Sequence, residues 1–232
     1  RFSHCDWDPV ESIAQHEGQS IESYQEQVFA LRVFKSTIDK YINPPIIDST
    51  SLTHTKGVII HGGPGTGKTH VSKLAVLYAL CKGLKIISTS ILGARASDLG
   101  GTHLHNLFCW TPQKHASTPF RTASSALLKI ARKPISWHII LSLDALFIDE
   151  IGTLSNQQFG TLDIMFRKAR NSPLPFGGLL ILGSLDPRQI GVINAMPFLT
   201  STLILTCFQA IKLSHSVRAH HDPDYQELLN LM

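Results

Sequence analysis

Residues 62–69 read Gly62-Gly63-Pro64-Gly65-Thr66-Gly67-Lys68-Thr69, and this stretch decides the fold. It matches the pattern G-x-x-x-x-G-K-[ST] at every fixed position. The apolar run Val58-Ile59-Ile60 precedes it, and a helical pattern follows it. A glycine-rich loop between a buried strand and a helix is typical of a phosphate-binding loop (P-loop), so the sequence predicts an α/β domain that binds a nucleotide.

The chemistry of a P-loop assigns roles to its residues. Glycines let the backbone turn tightly, so that successive N–H groups point at phosphate oxygens, and the helix start adds the positive end of its dipole. We expect Lys68 to reach the β- and γ-phosphates and the Thr69 hydroxyl to ligate Mg²⁺, which makes ATP and Mg²⁺ the predicted cofactors. The predicted nucleotide-binding residues of this stretch are Gly63, Gly65, Thr66, Gly67, Lys68, Thr69 and His70.

An acidic pair follows a second apolar run, Leu146-Phe147-Ile148-Asp149-Glu150. Ligands bind at the carboxyl ends of strands in open α/β sheets, which is where this pair would stand. We predict that Asp149 holds the Mg²⁺ shell and that Glu150 orients and deprotonates the attacking water. Such a pair can also simply cap a following helix.

Hydrophobic periodicity predicts strands that alternate with helices, as in a P-loop NTPase with a RecA-like parallel sheet flanked by helices. Residues 111–137, rich in proline, serine and basic residues, are interpreted as a small insertion. The predicted helices cover residues 21–41, residues 69–82 with Gly83 after the last turn, and a segment through Leu162 and Phe166. The predicted strands cover residues 56–60, 85–89, 145–148, 179–182 and 203–205.

Composition narrows the class of protein without naming a substrate. The chain has 232 residues and a net charge of +4, which suits one globular domain and permits, but does not argue for, contact with nucleic acid. Its four cysteines form no Cys-x-x-Cys pair, and its twelve histidines match no common ligand set. No apolar run is long enough for a membrane span, so we expect no membrane partner. The cysteine spacing argues against a disulfide framework, so we expect an intracellular, reducing setting: nucleus or mitochondrion in a eukaryote, otherwise cytoplasm.

The segments downstream of the P-loop resemble the superfamily 1B DNA helicases, specifically the petite-integration-frequency (PIF) helicases and their RecD-like relatives. Residues 90–108 resemble the family's motif Ia and the Gly-x-Thr-x-His element after it. The resemblance implies contacts to single-stranded DNA, and a helix start with a turn is the alternative. The residues to which it assigns nucleic-acid binding are Ser90, Gly93, Arg95 and His105.

Three further motifs carry the resemblance. Phe176-Gly177-Gly178, an apolar strand and then Asp186-Pro187-Arg188-Gln189 resemble motif III, which implies that Gln189 senses the γ-phosphate. Residues 213–229 resemble motif IV, whose arginine, here Arg218, would approach the same phosphate. Residues 24–28 resemble the Q motif, in which Gln27, rather than Gln25, would read adenine.

The sequence also departs from the family pattern. Gly152 stands where the family has serine in its Asp-Glu-Ile-Ser-Met element, and Leu185 stands where motif III has glycine. Leu92 replaces the usual threonine of motif Ia, and Gly191 replaces a proline of motif III.

The resemblance implies an N-terminal helical segment over residues 1–45 and a RecA-like ATP-binding domain over residues 46–232, with the second RecA-like domain absent. The implied function is that of a helicase motor that uses ATP to move along single-stranded DNA and unwind duplexes, in repair or recombination. The catalytic residues would be Lys68, Glu150, Gln189 and Arg218. Alone, the chain is expected to bind Mg-ATP weakly, hydrolyse it slowly and unwind nothing.

Two other functions stay open. One is a different P-loop ATPase, and the other is a degenerate helicase remnant that only binds nucleic acid. The sequence does not separate DNA from RNA as the partner.

Overall fold

The computed structural model describes residues 7–13, 24–44, 54–91, 101–110, 118–189, 195–215 and 217. These residues form one sheet of six parallel strands in the order β3-β2-β4-β5-β1-β6. The strands are β1 (Gly57–Gly62), β2 (Ile86–Ser90), β3 (Thr102–His103), β4 (Ala145–Asp149), β5 (Leu180–Leu185) and β6 (Phe208–Leu213). The predicted α/β class with a parallel sheet is confirmed.

The described α-helices pack on the two faces of the sheet. They are α1 (Gln25–Ile42), α2 (Lys68–Cys81), α3 (Leu104–Leu107), α4 (Pro119–Ala131), α5 (Pro134–Ser142), α6 (Asn156–Ala169) and α7 (Thr202–Cys207). Short 3-10 turns cover Ile151–Thr153, Pro175–Gly178 and Phe198–Thr200. In the described part of the chain, no helix combines the length and the apolar character that crossing a membrane would require.

Alternation along the strands builds two cores. Val58 and Ile60 face the helices α1 and α2, whereas Ile59 between them faces the opposite core, which includes residues of α4 and α6. Successive side chains of a strand point to opposite faces, so a strand that is apolar at every position is covered on both sides. This arrangement leaves the carboxyl edge of the sheet as the place where polar side chains collect.

Local chemistry sets the ends of the helices beside that edge. Helix α2 begins directly after Gly67, which has φ +83°, and Gly83 after its last turn has φ +82°, as a C′ glycine requires. Helix α6 begins with a capping box between Ser155 and Gln158. The predicted end of α2 at Gly83 is confirmed.

One predicted strand differs from the structure. Residues 203–205 do not form a strand but lie in α7, and the strand follows at β6; the side chain of Leu205 is 82% exposed. A short apolar run fits a strand or a helix equally well, because periodicity cannot separate them. The interpretation of residues 111–137 as a small insertion stays a prediction: residues 118–137 include α4 and the start of α5, and residues 111–117 lie outside the described residues.

Helix α4 belongs to the main core. Its residues Ala123, Ala126 and Ile130 are buried, and they stand on one helical face. The serines and basic residues that suggested an insertion occupy the other positions. The domain therefore uses this segment as a covering layer over the sheet.

Candidate functional site

The P-loop follows β1 and wraps around the start of α2. Gly65 and Gly67 have φ +79° and +83°, a left-handed backbone that glycine adopts without steric cost. Lys68 is buried, and its Nζ donates to the carbonyl oxygens of Gly62 at 2.7 Å and Gly63 at 2.8 Å. The Thr66 hydroxyl donates to the Gly63 carbonyl at 3.0 Å, which closes the loop.

A cavity of about 400 Å³ opens beside this loop. It brings together parts of the chain that are distant in sequence: the N-terminal segment, the P-loop, the end of β4 and the turn after β5. Its lining includes Ile13, Tyr24, Gln27, Pro64, Gly65, Thr66, Gly67, Lys68, Thr69, His70, Glu150, Asp186, Gln189 and Val217.

The acidic pair stands at the end of β4, as the sequence predicts. Asp149 and Glu150 are buried, with 4% and 6% of their surfaces exposed. The Ser184 hydroxyl of β5 donates to Asp149 Oδ1, and the Ser184 Oγ in turn accepts the backbone N–H of Glu150 at 3.1 Å. Glu150 has a left-handed backbone, with φ 52° and ψ 49°, which is uncommon for any residue other than glycine.

The Glu150 carboxylate is held by the turn after β5. Its Oε1 accepts a hydrogen bond from Gln189 Nε2 at 3.0 Å, and its Oε2 accepts the backbone N–H of Asp186 at 3.3 Å. Asp186 itself lies 3.9 Å from Lys68 Nζ through Oδ2. The structure therefore joins the lysine of the P-loop, the glutamate after β4 and the glutamine of the turn into one connected group.

Gln27 reaches the P-loop from α1. Its Nε2 donates to the Thr66 carbonyl at 3.0 Å, and 4% of its surface is exposed, whereas Gln25 is exposed. This geometry agrees with the choice of Gln27 over Gln25. Ile13 and Tyr24, both buried, line the same end of the cavity, and sequence reasoning did not assign them a role.

The segment after β6 also returns to the P-loop. The backbone N–H of Val217 donates to the Gly65 carbonyl at 2.9 Å. Glu26 of α1 accepts the backbone N–H groups of Ser214 at 2.7 Å and His215 at 3.1 Å and pairs with the His215 ring at 3.0 Å. Burial tends to raise the pKa of Glu26, but these hydrogen bonds outweigh it and hold the pKa below its ordinary value. Arg218 lies outside the described residues.

The residues assigned to nucleic-acid binding lie at the β2–β3 part of the carboxyl edge or outside the described residues. His105 of α3 is half-buried, its ring lies 5.8 Å from that of Trp110, and burial together with His103 lowers its pKa. Ser90 is wholly buried at the end of β2, beside Asp149 on one neighbouring strand and His103 on the other. Gly93 and Arg95 lie outside the described residues.

Besides Ile13 and Tyr24, sequence reasoning missed three further contributors to the site. Ser184 and Asp186 act through contacts between the end of β5 and the end of β4, and Val217 acts through a contact between the segment after β6 and the P-loop. No local sequence pattern predicts such contacts. Asp186 had a signal, because it belongs to the motif III segment, although only Gln189 was given a role there.

The side chains fit the two predicted cofactors. The hydroxyl of Thr69 and the carboxylate of Asp149 are hard oxygen donors, the type that Mg²⁺ takes alongside phosphate and water. The left-handed glycines and the start of α2 present backbone N–H groups as a phosphate requires. When bound, the metal would neutralise phosphate charge, and Thr69 and Asp149 would hold it.

These features define the class of the domain: a P-loop nucleotide-binding domain in which a strand, β5, lies between the P-loop strand and the strand that carries the acidic pair. The chain belongs to the PIF1-like helicase family, because the model of that family matches residues 36–220. The resemblance to this family is thereby confirmed.

Relatives and solved structures agree with the family. The chain is 32% identical over 179 residues to the ATP-dependent DNA helicase PIF1 of Trypanosoma brucei brucei, covering 75% of this chain and 17% of that protein. It is 25% identical over 173 residues to the ATP-dependent DNA helicase Pif1 of Bdellovibrio bacteriovorus, covering 72% and 37%. The chain thus spans 37% or less of these curated relatives.

The fold matches that of solved Pif1 helicases. The crystal structure of Pif1 helicase from Candida albicans superposes with a TM-score of 0.72 at 19% identity, over 88% of this chain and 42% of that one. Pif1 helicase from Bacteroides in complex with ADP-AlF3 and single-stranded DNA gives a TM-score of 0.59 at 22% identity, over 83% and 44%.

Proposed function

We propose that this chain is an ATP-hydrolysing motor domain of a DNA helicase, which binds Mg-ATP in the cavity beside the P-loop. The observation that carries the proposal is the Glu150 carboxylate, which faces that cavity while Gln189 and the Asp186 N–H hold it. A carboxylate fixed in this way can orient and deprotonate a water for attack on the γ-phosphate. A P-loop that only bound nucleotide would not need this arrangement.

Each side chain has a part in the reaction. Lys68 would leave the loop carbonyls that it now contacts and meet the β- and γ-phosphates, and Thr69 and Asp149 would hold Mg²⁺. Gln189 touches the catalytic carboxylate directly, so a change at the γ-phosphate would reach the turn after β5 through Glu150. Arg218, by the family resemblance, would add a fixed positive charge near the same phosphate.

Single-stranded DNA is the proposed second ligand, at the β2–β3 part of the carboxyl edge. His105 stands there, and β2 is the direct neighbour of the acidic strand β4, with Ser90 opposite Asp149. The relative from Bacteroides that gives the same fold was crystallised with single-stranded DNA and ADP-AlF3 together. A second RecA-like domain would complete the cleft, and translocation would follow from its opening and closing.

Nucleotide binding is the direct test. A fluorescent ATP analogue with Mg²⁺ is titrated against the wild-type chain, Lys68→Ala and Lys73→Ala, the last being an exposed lysine of the same helix. We expect binding to the wild type and to Lys73→Ala and its loss in Lys68→Ala. Equal binding by all three variants, or none by the wild type, would refute the proposed nucleotide site.

DNA binding needs its own measurement. Fluorescence anisotropy of a labelled single strand should show weak binding that falls as salt rises, because phosphate contacts release counterions. A strand that fails to bind at low salt would contradict the DNA half of the proposal and favour another P-loop ATPase.

A further inference from the structure

We propose that Ser184 is a positioning residue for both acidic side chains of the site: its single hydroxyl sets the metal-binding carboxylate of Asp149 and the backbone that aims Glu150. The inference rests on the proposed function, because it assigns a task within ATP hydrolysis. No family motif discussed above gives a role to this position.

Ser184 stands between the two halves of the nucleotide site. It lies in β5, the strand that pairs with β1 on one side and β4 on the other, directly beside Ile60 of β1. Only 1% of its surface is exposed. Its neighbours along the strand on the same face, such as Leu182, are apolar. A buried hydroxyl is therefore unexpected at this position unless it has hydrogen-bond partners.

The reason is a pair of hydrogen bonds that share one oxygen. The hydroxyl donates to Asp149 Oδ1 and accepts the N–H of Glu150 at 3.1 Å. A serine hydroxyl has one donor and two acceptor lone pairs, so both bonds form together. One atom therefore fixes the carboxylate of residue 149 and the main chain of residue 150.

The backbone of Glu150 depends on such support. Its φ of 52° and ψ of 49° are unfavourable for a residue with a side chain and persist only where the surroundings enforce them. Ser184 holds the N–H of Glu150, while Asp186 and Gln189 hold its carboxylate from the turn that follows in sequence. The end of β5 thus controls Glu150 from the main chain to the tip of the side chain.

Loss of the hydroxyl should affect the metal and the reaction more than the nucleotide. Removing a partner that orients a metal ligand typically costs about 10- to 100-fold in metal affinity or activity. For Ser184→Ala we expect the Mg²⁺ concentration that half-saturates nucleotide binding to rise by about tenfold and single-turnover hydrolysis to fall by about 10- to 100-fold. Nucleotide affinity measured in EDTA should stay unchanged.

The experiment compares four variants of the full chain. Ser184→Ala removes both hydrogen bonds, and Ser184→Thr restores the hydroxyl, so Thr should recover the Mg²⁺ dependence and the hydrolysis rate. Ser72→Ala is the matched control, because its buried hydroxyl has no hydrogen-bond partner in the described part of the chain. Ser184→Cys keeps the size with a weak donor and should fall between Ala and wild type, and it replaces Ala if that variant does not fold.

The outcomes distinguish a failure of the positioning role of Ser184 from a failure of the proposed function. If the wild type binds and hydrolyses ATP but Ser184→Ala lowers only the thermal midpoint, with the Mg²⁺ dependence unchanged, the positioning role is wrong and the proposed function stands. If the wild type and Lys68→Ala both fail to bind nucleotide, the proposed function fails and this inference with it. A raised Mg²⁺ requirement in Ser184→Ala that Ser184→Thr reverses and Ser72→Ala lacks supports the assignment.

Discussion

Leu185 Cδ1 occupies the space that a side chain on residue 152 would need. Both positions depart from the family pattern, one to a smaller residue and the other to a larger one: glycine replaces serine at Gly152, and leucine replaces glycine at Leu185. The larger residue fills the volume that the smaller one leaves. The two departures are therefore one compensated exchange in packing, and they leave the acidic pair and Gln189 in place.

We predict that substitutions at residues 152 and 185 have coupled effects on the free energy of unfolding. Gly152→Ser should overpack the contact and lower the free energy of unfolding by about 1–3 kcal/mol. In the Leu185→Gly background the same change should cost less, with a coupling energy of about 0.5–3 kcal/mol. Urea unfolding of the two single variants and the double variant measures this coupling.

A glycine elsewhere provides the control for that cycle. A side chain at Gly160, within α6, would meet Pro119 atoms only at 3.8 Å, an ordinary contact. Gly160→Ala should therefore stabilise the chain by up to about 1 kcal/mol through helix propensity. Additive effects of Gly152→Ser and Leu185→Gly would show that the contact is not what links the two positions.

Gln27 predicts a selective defect in nucleotide binding. Gln27→Ala removes the donor to the Thr66 carbonyl and, by the family resemblance, the group that reads adenine. The loss of one such hydrogen bond is worth about 1 kcal/mol, so ATP affinity should fall roughly fivefold and the preference for ATP over GTP should narrow. Competition binding with ATP and GTP measures both the affinity and the preference. The exposed Gln25 provides the control, since Gln25→Ala should behave like wild type.

We predict that a substitution at Glu150 lowers the rate of ATP hydrolysis but leaves nucleotide binding in place. Glu150→Gln keeps the size of the side chain and an oxygen for Gln189, so nucleotide should still bind. A general base contributes about 10²- to 10⁴-fold, and single-turnover hydrolysis should fall by that range. A variant that hydrolysed ATP at the wild-type rate would place the base on another residue.

Glu26 predicts a loss of stability in acid. Its pKa is held below its ordinary value of 4.5 by hydrogen bonds from residues 214 and 215. A carboxyl whose pKa is lowered on folding contributes stability that is complete above the unfolded pKa and is lost as the pH falls through the folded pKa. Denaturant unfolding between pH 3 and about pH 6 should be less pH-dependent in Glu26→Gln than in wild type.

The exposed Glu11 offers a comparison for that measurement. Glu11→Gln should keep the wild-type pH dependence, since the part of the chain that the structure describes gives the Glu11 carboxylate no comparable set of donors. Identical pH profiles for Glu26→Gln and wild type would mean that the contact between α1 and the segment after β6 adds no acid-sensitive stability.

The sequence was most informative where a short motif carries its own geometry. The P-loop predicted a strand, a tight glycine-rich turn and a helix, and all three are present because few backbones satisfy that spacing. The position of the acidic pair at a strand end followed from the same logic, since an apolar run that ends in two carboxylates marks the edge of a buried sheet.

Other features could not be predicted because they arise between distant segments. The Ser184 hydroxyl can bond to Asp149 and Glu150 only when β5 lies beside β4, and the local sequence of β5 does not reveal which strand it pairs with. Residues 203–205 were predicted as a strand because three apolar residues in a row do not reveal whether their neighbours will hydrogen-bond along the chain or across it. The assignment of Ser90 to DNA stays a prediction, and its complete burial could not be predicted because that burial depends on the strands around it.

The hydrogen bond from Val217 to Gly65 also bears on how the protein is made. Glu26 and Ser214, which meet beside it, are 188 positions apart in sequence. When α2 has just emerged from the ribosome, the nascent chain contains the whole P-loop motif but not yet the other segments that line the pocket. The described pocket, whose lining includes Val217, can form only after residue 217 has emerged, so ATP would act on a nascent chain as a late ligand that stabilises the segment after β6 against α1 and the P-loop.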